Sequence, residues 1–115
     1  MTAFTAEQLL DKIVEISQEK KARELVSLKL SGLTLIADYF VIMSTGSNRQ
    51  AQAVSDHIYE GLKESGVQAL RVEGYQEGQW ILLDYGTVVV HIFQDEERAF
   101  YDLERLWGDA ERKDY

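Results

Sequence analysis

The chain has 115 residues, 45% of them apolar, with 20 Asp plus Glu against 12 Lys plus Arg and no Cys or Pro. That length and apolar content suit one globular domain with its own core, and no apolar run approaches the ~20 residues that span a bilayer. The missing Cys excludes disulfides, zinc fingers, iron–sulfur clusters and thiol catalysis, while a start (Met1 to Gln8) without basic and apolar stretches reads as cytoplasmic.

Thr5 and Gln8 stand at capping-box spacing and open a first helix whose apolar stripe is Leu9, Ile13 and Ile16, flanked by Leu10. A strand is expected at Leu25–Leu30, where Val26, Leu28 and Leu30 alternate with polar residues as in a sheet covered on one face. After the Ser31-Gly32 turn, Tyr39 to Met43 is continuously apolar and reads as an interior strand. Ser47 and Gln50 repeat the cap spacing before a helix with Ala51, Val54, Ile58 and Leu62 on its buried stripe, stopped by Ser65-Gly66. A strand at about Ala69–Glu73 then completes a strand–helix–strand unit with parallel strands.

A hairpin follows from Trp80 to Phe93. With Tyr85-Gly86 as a two-residue loop, Trp80 faces His91, Leu82 faces Val89 and Asp84 faces Thr87; a three-residue loop would shift that pairing. One face of the hairpin is purely aliphatic: Ile81, Leu83, Val88, Val90 and Ile92. The other carries Trp80, Leu82, Val89, His91 and Phe93, and is either covered by a helix or open to a partner. Asp95 caps a last helix with Phe100, Leu103 and Trp107 on one stripe, and the polar tail Gly108–Tyr115 reads as frayed. The expected fold is a single α/β domain over residues 1–115, built on a mixed five-stranded sheet.

The charge is unevenly placed. Residues 1–50 hold six acids and six bases, so the whole net charge of −8 falls on residues 51–115. A phosphate backbone requires a cationic footprint, so direct nucleic-acid recognition is disfavoured. Basic proteins are attracted instead, unless the acidity serves solubility alone.

Signs of catalysis are sparse. His57 and His91 stand alone, with no second ligand at metal spacing. The Gly46-Ser47 turn between a buried strand and a helix start offers amides to a phosphate, and nucleotidyltransferases place a Gly-Ser turn there. Their acidic metal-binding pair is missing: the next strand has Glu73 alone and Asp84 lies at a hairpin turn. A capped helix start suffices to explain Gly46-Ser47. No cofactor and no metal site is expected.

Three segments in order then become specific: Ala37-Asp38-Tyr39-Phe40-Val41-Ile42-Met43-Ser44-Thr45-Gly46-Ser47; Val72-Glu73-Gly74 followed by Trp80 to Gly86; and Val88 to Phe93 running into Glu97 to Trp107. Together they resemble the ribosomal silencing factor family, also called Iojap-like proteins, across nearly the entire chain. The resemblance implies a degenerate nucleotidyltransferase-like fold that acts by binding rather than catalysis. It implies docking on the large ribosomal subunit, onto its fourteenth protein, where the bound domain blocks subunit joining and represses translation. It further implies a possible homodimer, while the charge placement and the short apolar runs lead to no sequence-specific nucleic-acid contact and no membrane being expected. By similarity Trp80 is the anchor; from the geometry of its face, Leu82, His91 and Phe93 extend the apolar centre and Glu73 and Asp84 meet Lys or Arg at the rim. The alternatives are a nucleotide-binding enzyme using the Gly46-Ser47 turn, or a dimeric adaptor whose hairpin face pairs with itself.

Overall fold

The computed structural model describes residues 4–115; Met1–Ala3, part of the start that reads as leaderless, lie outside the described residues. In chain order the elements are α1 (Ala6–Glu19), β1 (Arg23–Lys29), β2 (Tyr39–Thr45), α2 (Asn48–Glu64), β3 (Arg71–Glu73), β4 (Trp80–Asp84), β5 (Val88–Gln94), α3 (Asp95–Tyr101), α4 (Leu103–Leu106) and β6 (Glu111–Asp114). The strands form one mixed sheet in the order β3-β4-β5-β2-β1-β6, with β2 and β5 as its parallel pair.

The sheet has six strands rather than five, because the tail expected to fray forms β6 against β1. All four β6 residues are exposed, so no apolar pattern could announce the strand. Backbone pairing places it, together with a Tyr115 N–H donated to the Leu25 carbonyl (3.0 Å) and a hydrogen bond between the Ser27 and Tyr115 hydroxyls (3.1 Å). β3 runs parallel to β2 as expected, yet β4 and β5 lie between them.

α1 opens on the expected capping box: Thr5 and Gln8 each accept the other's backbone N–H. α2 uses half of one. Ser47 Oγ accepts the Gln50 N–H (3.1 Å), while Gln50 Oε1 takes the Gly46 N–H (2.7 Å). The two helices lay Leu9, Ile13, Ile16, Val54, Ile58 and Leu62 on one sheet face, over Val41, Met43 and the aliphatic hairpin face. Each fully buried aliphatic side chain contributes about 1.5–3 kcal/mol. The opposite face gathers Val26, Leu28, Phe40, Ile42, Val89 and Phe93 under a thinner cover from Leu103 and Trp107.

The hairpin turns one residue later than expected: the Tyr85 N–H donates to the Val88 carbonyl (2.9 Å), which leaves Gly86-Thr87 as the loop, so Trp80 pairs with Phe93, Leu82 with His91 and Asp84 with Val89. The displacement from the expected register is even, and side chains alternate with period two, so every residue keeps its expected face.

The last helix departs most from expectation. Gln94 holds its N-cap position, Asp95 is its first residue, and Asp102 (φ 47°, ψ 53°) breaks it into α3 and α4. Arg98 secures the break: it pairs with Glu104 (2.9 Å) and donates to the Glu24 carbonyl (2.7 Å) and to Ser44 Oγ (2.8 Å). Glu24 is itself left-handed (φ 48°) where the β1–β2 register shifts. A bulge residue drops out of the ladder, which leaves its carbonyl for the guanidinium.

Candidate functional site

Trp80 opens β4 on the thinly covered face and is half-buried. Its indole stacks on Phe93 (centroids 4.9 Å apart) and meets Tyr101 from α3 (4.4 Å). Its Nε1–H donates to His91 Nδ1 (3.1 Å). Since an indole only donates, Nδ1 is the bare nitrogen and His91 carries its proton on Nε2. Burial pushes the His91 imidazole down to about 4, so the ring is neutral. Nε2 has no hydrogen-bond partner among the described residues, and the ring edge meets Phe40 (centroids 4.4 Å).

The six expected site residues therefore occupy three levels. Trp80 and Leu82 are half-buried and reach the surface. His91 and Phe93 are buried, at 3% and 0% exposure, and form the floor that orients the indole. Glu73 and Asp84 lie at the β3–β4 edge, where both carboxylates are held by Arg71 (2.7 Å and 3.2 Å). Asp84 also accepts the Gly86 N–H (2.8 Å) and so fastens the hairpin turn.

Gly74 sets where Trp80 begins. It has φ +76°, and a Cβ there would stand 2.0 Å from the Trp80 carbonyl oxygen. Only a residue without a side chain lets the two backbones approach so closely.

The exposed part of the site comes from one side chain that the sequence pattern buried and two that it did not single out. Phe100, expected on the buried stripe, is 80% exposed; Tyr101 is 47% and Leu106 70% exposed. The turn at Asp102 rotates α4 against α3, so one helical stripe cannot continue through it. A left-handed Asp leaves no mark in an apolar pattern, and nothing in the sequence would have exposed these three. With Trp80, Tyr101 and Phe100 form an aromatic patch that a partner could cover.

The Gly46-Ser47 turn is occupied by its own chain through the two Gln50 contacts. The adjoining recess is lined by Asp95, Glu96 and Glu97, which repel a phosphate. Among the described residues no group of three or more His, Asp or Glu is placed to hold a metal ion, and no helix is long and apolar enough to cross a membrane.

Residues 3–115 match the family model described as ribosomal silencing factor during starvation. The ribosomal silencing factor of Halalkalibacterium halodurans is 43% identical over 104 residues, covering 90% of this chain and 89% of that protein. That of Bacillus subtilis is 44% identical over 92 residues, covering 80% and 78%. A crystal structure of a Chromobacterium violaceum protein superposes with a TM-score of 0.89 at 32% identity, covering 91% of this chain and 88% of that one. Near full-length agreement in sequence and in fold leaves one conclusion: the chain belongs to the ribosomal silencing factor family.

Proposed function

We propose that this chain docks on the large ribosomal subunit, on its fourteenth protein at the surface that meets the small subunit, and represses translation by obstructing subunit joining. The observation that carries the reading is the half-buried Trp80, seated on Phe93 and His91 and flanked by exposed Tyr101 and Phe100, in a chain of this family. A rigid indole covers much area at little entropic cost, which suits a docking anchor. Ribosomal proteins are basic, and the net charge of −8 favours their approach.

The protein acts in the cytoplasm by bulk rather than catalysis. The self-capped Gly46-Ser47 turn and its acidic surroundings speak against the nucleotide-binding alternative and fit a nucleotidyltransferase-like fold that has lost its chemistry. A homodimer formed through the Trp80 face would compete with the ribosome for the same side chains.

Co-sedimentation with purified large subunits, followed by addition of small subunits, tests the reading. The wild type should bind and reduce the yield of joined ribosomes. Trp80→Ala should weaken binding by about 2 kcal/mol with an unchanged circular dichroism spectrum. Full binding by Trp80→Ala rejects the anchor, and normal subunit joining under saturating wild type rejects the obstruction.

A further inference from the structure

Between β1 and β2 the chain projects an aliphatic tip that nothing in the fold uses. Leu35 is fully exposed, Ile36 is 66% and Leu33 50% exposed. Its base is rigid: the Asp38 carbonyl accepts the Leu30 N–H (2.7 Å) and the Ser31 N–H (3.2 Å), and the Asp38 N–H donates to the Thr87 carbonyl (2.8 Å). Thr34 Oγ1 accepts the Ile36 N–H (3.2 Å) and holds the tip itself. Three aliphatic side chains are thus kept in water on a preorganised support, where a floppy loop would fold them back.

Beside the tip lies a recess of ≈ 270 Å³ lined by Leu35, Ile36, Asp38, Gly86 and Thr87, among others. The Asp38 carboxylate in its wall makes no ion pair among the described residues. Two aliphatic side chains beside one unspent carboxylate, in a recess otherwise lined by small and polar residues, match a Lys or Arg side chain, whose methylene stem packs while its head pairs. The recess is not isolated from the docking face. Gly86 and Thr87 belong to the turn that ends β4, the strand that begins at Trp80, roughly 20 Å away at about 3.3 Å per residue. That span fits within one protein–protein interface of ordinary size. No Lys or Arg lines the recess, so an anionic lipid surface would be repelled.

We propose that the loop 31–38 is a second grip on the ribosomal protein that receives Trp80, with a Lys or Arg of that protein seated against Asp38 and its apolar surface against Leu35 and Ile36. The proposal rests on the docking reading above. It is tested on the full chain by measuring affinity for purified large subunits over a range of salt concentrations, for wild type, Trp80→Ala, Asp38→Asn and the Leu35→Ser, Ile36→Ser double variant, each checked for fold by circular dichroism. Asp38→Asn and the double variant should each bind about tenfold more weakly. Asp38→Asn should also flatten the salt dependence, whereas the double variant should keep it. Should both bind within twofold of wild type while Trp80→Ala fails, the second grip is wrong and the docking reading stands. If wild type itself does not bind, both fall. If the double variant binds subunits normally but abolishes self-association in the ultracentrifuge, the loop serves a second copy and the proposal is overturned.

Discussion

Trp80 and His91 form a unit whose state depends on one proton. The indole can donate only while Nδ1 is bare, and burial holds His91 near 4 against an ordinary 6.5. Between those values the unfolded chain binds a proton that the native one refuses. The stabilisation is therefore complete above about pH 6.5 and is lost as pH falls toward 4. Urea unfolding at pH 7.5 and pH 5 should differ by about 2 kcal/mol from this group; His91→Gln, which keeps an acceptor for the indole, should lose that part of the difference. Gly74→Ala drives a Cβ into the Trp80 carbonyl. It should destabilise by about 2 kcal/mol or more, with strain at a left-handed position added to overpacking, and thermal melting will show whether it does.

At the scale of elements, the kink between α3 and α4 decides which side chains reach solvent. Arg98 and Glu104 are 11% and 20% exposed, and Glu104 is also tied to Arg112 of β6 (2.9 Å). The Arg98 hydrogen bond holds the Glu104 carboxyl below the usual carboxylate range. Arg98→Met leaves that carboxylate with Arg112 alone and the bulge carbonyl of Glu24 without its donor, and should cost about 2 kcal/mol in denaturant unfolding. This device was invisible in the sequence, because an ion pair six residues apart across a left-handed Asp follows no helical spacing. Its legible counterparts are the elements whose determinants are local. The Thr5–Gln8 cap, the stripes of α1 and α2 and the two faces of the hairpin all rest on neighbours within a turn or on strict alternation. Of the candidate site, Trp80 and Leu82 were readable as one face, whereas the burial of His91 and Phe93 depends on a cover whose path the pattern misdrew. β6 has only charged residues, and its placement belongs to β1, some eighty positions earlier.

Over the whole molecule, the acidic excess acts at a distance where individual pairs do not. Arg71 cancels only one of the charges of Glu73 and Asp84, so the trio adds a single net negative charge to the long-range attraction. Glu96 is exposed at the start of α3, beside Glu97. Replacing both by Lys should slow association with large subunits several-fold at low salt and flatten its ionic-strength dependence, with dissociation little changed. Stopped-flow association across salt concentrations checks this, and an unchanged rate would show that shape rather than charge governs the encounter.

The pairing of β6 with β1 also has a meaning in time. A growing chain exports β1 early, and its outer rim has no companion until Glu111–Asp114 have been synthesised. Until then the nascent sheet has an unsealed border, vulnerable to any extended peptide nearby. The closing act of folding is accordingly reserved for residues translated some eighty positions after the strand they seal, and a message cut short before Glu111 would release a product with that border left open.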